Sequence, residues 1–170
     1  MSEAKVTNVI VAGLGGQGVI KASDILADAV LRAGLDVKKA EVHGMSQRGG
    51  SVTCDVRFGE RVLSPMVPRG EADFILVLAP SEVEVTRPLL RPEGVLIAPD
   101  FVREEELANR RSLNVALLGA LSHYLAIPQE HFMAAVKAAI PERLHAVNEA
   151  AFALGRAAAA KASQGPVVRR

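Results

Sequence analysis

At 170 residues, 49% of them hydrophobic and 23% charged, the chain is long enough for one domain with a proper core. A net charge of +1, from 20 basic and 19 acidic residues, offers no broad attraction to nucleic acid or an anionic membrane, so any anion recognition must be local. The single cysteine, Cys54, excludes a disulfide framework or a thiolate-bound cluster carried by this chain alone.

The first residues hold no long apolar core before a cleavage site, and no apolar run approaches the ~18 residues of a membrane span, so a cytoplasmic chain is expected. Residues 9–12 form an apolar run that reads as a strand. Gly13-Leu14-Gly15-Gly16-Gln17-Gly18 then reads as the glycine-rich turn of a nucleotide-binding type βα unit. Val19, Ala22, Leu26, Ala29, Val30 and Ala33 recur at helical spacing, with Lys21, Asp24, Asp28 and Arg32 opposite, and Gly34 ends that helix. Residues 35–42 read as a second strand, parallel to the first and ending beside it through a right-handed crossover.

From Ser51 the pattern alternates: Val52, Cys54, Val56 and Phe58 share one face, Ser51, Thr53, Asp55 and Arg57 the other. Gly59-Glu60 is expected to turn this strand into residues 61–64, completing a hairpin. Residues 73–79 and 94–98 are apolar runs of buried strands, and Ser81-Glu82-Val83-Glu84 resembles a capped helix start. Helices are expected over residues 114–126, from Pro128 to residue 140, and from Pro141 to about residue 160. The expectation is one α/β domain over residues 1–162, a three-layer α/β/α arrangement around a mixed sheet with a hairpin excursion and a helical C-terminal part. Residues 163–170 are expected to form a flexible tail.

Gly13, Gly15 and Gly18 permit a tight turn, close approach of a ligand to the amides, and packing of the helix against its strand, while Gly16 and Gln17 complete the loop. Glycine is also used freely in strand-to-helix turns that bind nothing. Glu41 ends the second strand and could serve as the ribose acid of a dinucleotide site, or pair with Lys38 or Arg48. A second motif, His43-Gly44-Met45-Ser46-Gln47-Arg48-Gly49-Gly50-Ser51, sets a planar cation beside permissive backbone. That suits a phosphate or carboxylate, although Arg48 and Gln47 could equally hydrogen-bond loop carbonyls.

The two motifs, with Glu41 and Val42 preceding the second and Val52 following it, resemble the gamma-type subunit or domain of 2-oxoacid:ferredoxin oxidoreductases, most closely its indolepyruvate oxidoreductase beta-subunit branch. Residues 114–119, Asn148, Phe152 and Gly155 fall where that family has its closing helical motifs. The resemblance implies a Rossmann-like domain that is one part of a larger oxidoreductase of anaerobic metabolism, which decarboxylates an arylpyruvate or related 2-oxoacid oxidatively to an acyl-CoA. Thiamine diphosphate and iron–sulfur clusters would belong to larger catalytic partner subunits, which pass electrons to ferredoxin. The chain alone would be inactive, supplying an interface and part of the CoA or substrate environment. Substrate-facing loops would then comprise Gly13, Gly15, Gly16, Gln17, Gly18, His43, Ser46, Gln47, Arg48, Gly49 and Gly50. Which of Gln17, His43, Gln47 or Arg48 touches substrate, CoA or a neighbouring subunit stays open, and no catalytic or metal-ligating residue is assigned.

Two other readings stand beside this one: a free-standing NAD(P)-binding oxidoreductase, favoured by residues 13–18 and Glu41, and a structural subunit without a ligand. His123, His131 and His145 lie in expected helices without a metal-ligand constellation. Ser46 lacks the Gly-x-Ser-x-Gly elbow, and Cys54 falls on an apolar strand face where a thiol is usually inert. Glu104-Glu105-Glu106 and Arg110-Arg111 read as a solvated surface. An isolated chain could self-associate as a homodimer through apolar surface meant for its partner.

Overall fold

The computed structural model describes residues 5–44 and 49–164. In chain order it contains β1 (Thr7–Leu14), α1 (Val19–Arg32), β2 (Asp36–His43), β3 (Ser51–Gly59), β4 (Ala72–Val77), the one-turn α2 (Val83–Thr86), β5 (Leu90–Ile97), α3 (Leu113–Tyr124), α4 (Gln129–Ala139) and α5 (His145–Gln164). The strands form one mixed sheet in the order β2-β3-β1-β4-β5. β3 runs antiparallel to both its neighbours, and β1, β4 and β5 are parallel.

Helices lie on both sides of the sheet, unequally. Val9 and Val11 of β1, Cys54, Val56 and Phe58 of β3, and Leu76 of β4 point into one large core shared with α1, α3, α4 and α5. Ile10, Ile75 and Val77 point the other way, against Val67, Val83 and Leu89 of the connecting segments and α2. This opposition is the period-2 alternation of strands buried on both faces. Phe132 and Phe152, both fully buried with ring centroids 5.6 Å apart, join α4 to α5. Burying such a ring contributes about 3 kcal/mol against the cost of ordering it.

α1 follows its sequence pattern: Val19, Ala22, Ile25, Leu26, Ala29 and Val30 are buried. It ends in a Schellman motif, with Gly34 at φ 80° donating to Leu31 and Leu35 donating to Val30. α5 continues to Gln164, past the end expected near residue 160, so Ser163 and Gln164 are helical, and residues 165–170 lie outside the described set. Among the described residues, no helix is long and apolar enough to cross a membrane.

Four local expectations need correction. β2 has the direction of β1 but does not lie beside it, because β3 is inserted between them. β3 forms its hairpin with β2 through residues 44–50, and residues 61–64 form no strand: the Val62 amide donates to the Asp36 carboxylate at 2.8 Å instead of to a ladder. β3 is buried on its Val52–Phe58 face and half-buried on the other, and its backbone groups need a hydrogen-bonding neighbour on each side, a demand that β1 and β2 meet. β5 begins at Leu90, earlier than expected, and passes through Pro92, which an edge strand tolerates. The expected cap at Ser81 is absent; a 3-10 turn leads into α2 with no side-chain cap.

Candidate functional site

The carboxyl ends of β1 and β4 and the start of β3 meet at one edge of the sheet. Cross-strand register sets His43 opposite Val52 and Val52 opposite Gly13, so β3 connects the two glycine motifs. One step further out, Leu14 lies opposite Ser51, and the Gly15 amide donates to the Gly50 carbonyl at 2.9 Å. The Gly15 and Gly49–Gly50 backbones are in contact: a Cβ on Gly15 would lie 3.5 Å from the Gly49 nitrogen. His43 is on the far strand, two strand spacings or ~10 Å from the first motif, so it does not share the immediate site with Gly15.

The first turn is tightly self-bonded. Gln17 accepts the Leu14 amide on its Oε1 at 2.8 Å, and its own amide donates to the Leu14 carbonyl at 3.2 Å. Gly13 has no room for a side chain, since a Cβ would lie about 3 Å from Gln17, Val19 and Leu78. Gly16 (φ 89°) and Gly18 (φ 85°) occupy the left-handed region. Gly16 faces open space, whereas Gly18 is roofed by Asn114 of α3, whose Nδ2 donates to the Gly18 carbonyl at 3.3 Å. Because the amides of Gly15 and Gln17 already have backbone partners, they are not available as an anion cradle. The exposed elements of the loop are Gly15, Gly16 and Gln17.

In the second motif Gly49 (φ 64°) and Gly50 are described, and His43 is exposed with Nε2 3.5 Å from Glu41. Ser46, Gln47 and Arg48 lie outside the described residues. Ser51 donates its hydroxyl to Glu82 Oε2 at 2.7 Å, and Glu82, only 7% exposed, reaches up from the 3-10 turn after β4. This contact ties the second motif to the end of β4, just as Gly15 ties it to β1. Sequence reading did not single out Ser51 or Glu82 as a pair; they stand 31 residues apart, and no local pattern announces the contact.

Glu41 pairs with Lys39 at 3.0 Å and not with Lys38, which lies 4.0 Å from Asp36. The Lys39 ammonium holds the Glu41 carboxyl below its ordinary value. Burial works against the Lys39 charge, but hydrogen bonds to Asp24 and Glu41 outweigh it and raise its pKa. Burial raises the Cys54 thiol, so the thiolate is disfavoured. Ser51 has a carboxylate partner, and among the described residues no base of the serine–histidine type is hydrogen-bonded to it, so the arrangement is suited to binding and positioning.

His145 Nε2 lies 2.7 Å from the Ile140 carbonyl, His123 Nε2 is 3.3 Å from the Ser163 hydroxyl, and His131 is half-buried. Glu104, Glu105 and Glu106 are exposed, with Arg110 3.7 Å from Glu104. Two open grooves lie away from the glycine loops. One, of about 410 Å3, runs between Phe101, Arg103, Leu154 and Lys161; the other, of about 390 Å3, lies at the opposite end of the sheet between Thr7, Phe58, Arg91 and Tyr124.

Comparison with known proteins gives concordant results. Residues 8–103 match the family described as pyruvate ferredoxin/flavodoxin oxidoreductase. The chain is 36% identical to indolepyruvate oxidoreductase subunit IorB of Thermococcus kodakarensis, over 89% of this chain and 95% of that protein. It is 32% identical to the subunit of the same name from Methanothermobacter thermautotrophicus, over 91% of this chain and 98% of that one. In fold it is similar to the gamma subunit of a keto/oxoacid ferredoxin oxidoreductase from Geobacter sulfurreducens, with TM-score 0.79 and 21% identity over 94% of this chain and 99% of that one. It also matches 2-oxoglutarate:ferredoxin oxidoreductase from Magnetococcus marinus, with TM-score 0.83 and 24% identity over 97% of this chain, which spans only 33% of that longer polypeptide. On the sequence match alone, spanning more than half its length, the chain belongs to the pyruvate ferredoxin/flavodoxin oxidoreductase family.

Proposed function

We propose that this chain is the small subunit of an indolepyruvate-type 2-oxoacid:ferredoxin oxidoreductase, working in the cytoplasm with a larger partner. The observation that carries the reading is the alignment with an indolepyruvate oxidoreductase subunit over 95% of that subunit's length. In this reading the partner holds thiamine diphosphate and the iron–sulfur clusters, reduces ferredoxin and forms an acyl-CoA from an arylpyruvate or related 2-oxoacid. The residues here fit that division, since one buried cysteine cannot ligate a cluster. The exposed edge formed by Gly15, Gly16, Gln17, Gly49 and Gly50 is the surface this chain offers to the partner, and to CoA or substrate held against it.

A free-standing NAD(P)-binding oxidoreductase is the weaker reading, because it needs β2 beside β1 with its terminal acid near the glycine turn. Here β3 separates them, and Glu41 is engaged by Lys39 and flanked by His43. Anaerobic recovery of the tagged chain from its native cells distinguishes the two. The proposal expects a stoichiometric larger subunit carrying thiamine diphosphate and iron–sulfur clusters. A lone chain that binds NADH saturably would overturn it.

A further inference from the structure

The two edges of the sheet are guarded differently. β5 is interrupted by Pro92 and by a register shift in its pairing with β4, two devices that discourage further strand addition. β2 is eight residues long, contains neither proline nor glycine, and pairs with β3 in unbroken register. Among the described residues no strand pairs with its outer side.

The phase of the ladder fixes which groups face outward. The Gly44 amide donates to the Ser51 carbonyl, so the 44–51 pair is hydrogen-bonded, and alternate pairs along an antiparallel ladder repeat it. Asp36, Lys38, Ala40 and Val42 therefore turn their backbone groups toward β3. Val37, Lys39, Glu41 and His43 turn theirs outward. The Gly15-to-Gly50 bond independently assigns the even residues of β3 to β1, which leaves its odd residues for β2, in agreement.

We propose that this edge pairs antiparallel with the same edge of a second copy of the chain, about a two-fold axis through Ala40, joining two sheets into one. Charge complementarity selects both the occupant and the register. With the axis at Ala40, Lys39 of each copy lies opposite Glu41 of the other, Val37 lies opposite His43, and all four are hydrogen-bonded positions. Moving the axis to Lys38, Lys39 or Glu41 sets like charges opposite themselves, and moving it to Val37 or Val42 leaves most of β2 unpaired. Lysine normally guards a strand edge, but the Lys39 charge is already met by Asp24 and Glu41. The isologous contact closes on itself and leaves no further edge of this kind.

The test uses the purified full chain and the variant Ala40→Lys. In the monomer this lysine lies across from Asp55, whereas in the pairing two lysines meet at the axis, where Cα atoms are ~4.5 Å apart. Sedimentation equilibrium should give twice the 18.0 kDa chain mass for the wild type and the single mass for Ala40→Lys. Circular dichroism should be unchanged between them. Hydrogen exchange at the Val37, Lys39, Glu41 and His43 amides should be about tenfold slower in the wild type than in the variant. Three results overturn the proposal: a wild-type monomer at all concentrations, a dimer in which those four amides exchange freely, or protection that appears only when a larger subunit is added.

Discussion

Asn114 of α3 lies directly over Gly18, donating to its carbonyl at 3.3 Å and filling the space a side chain on Gly18 would need. The first glycine turn is thus held from above by a helix 96 residues later in the chain. Gly18→Ala meets both a left-handed backbone and the Asn114 carboxamide, and should destabilise by about 2 to 4 kcal/mol. Gly16→Ala shares the backbone conformation but faces open space, and should cost only about 1 kcal/mol. Urea unfolding of the two variants measures the difference.

Gly119 and Gly155 set the approach of α3 to α5. A Cβ on Gly155 would overlap the Ala116 carbonyl, and one on Gly119 would overlap that of Phe152. Both obstacles are helix backbone, which cannot rotate away. Gly155→Ala should therefore cost about 3 kcal/mol, although alanine is the better helix former, and thermal unfolding should show the loss.

Ser51 and Glu82 supply a second check on the site. Ser51→Ala leaves a buried carboxylate without its hydroxyl donor and should cost about 1.5 to 3 kcal/mol. Glu82→Gln keeps an acceptor of the same length, and its cost should be about 1 kcal/mol or less. Equal losses in the two variants would show that the contact does not hold the loop.

Asp55, on β3, is buried and accepts the Val67 amide at 2.8 Å; burial raises its pKa, opposed by that amide and by Arg57. A carboxyl whose pKa is raised on folding binds more protons in the folded state. Its contribution is therefore unfavourable at neutral pH, and the penalty disappears as pH falls through the raised value toward the unfolded one. Asp55→Asn, whose carbonyl can still accept from Val67, should be at least as stable as the wild type near pH 7. The advantage should shrink toward about pH 4, where the unfolded aspartate also becomes protonated. Parallel denaturation curves across that range measure it.

What the sequence made legible is what nearest neighbours along the chain decide. The glycine turn, α1 with its Gly34 stop, and the inward face of β3 all follow from spacing, because period 3.6 or 2 is a local property. The partners of β3 were not legible: alternation of Val52, Cys54, Val56 and Phe58 says which face is buried but not which strands lie to either side. A nearby turn at Gly59-Glu60 suggested a hairpin with residues 61–64, and the longer 44–50 connection to β2 formed it instead. At the site, both glycine motifs were legible, and their meeting through Gly15 and Gly50 follows from β3 lying between them. The Ser51–Glu82 and Asn114–Gly18 contacts were not, since each joins residues far apart in the chain.

The central claim is that this chain acts only within a larger oxidoreductase. The most direct measurement is anaerobic ferredoxin reduction by the purified larger subunit, with indolepyruvate and CoA, as this chain is titrated in. The account predicts no activity from either protein alone and a rise that saturates at a fixed stoichiometry. Full activity of the larger subunit without this chain, or turnover of NAD(P)H by this chain on its own, would contradict it.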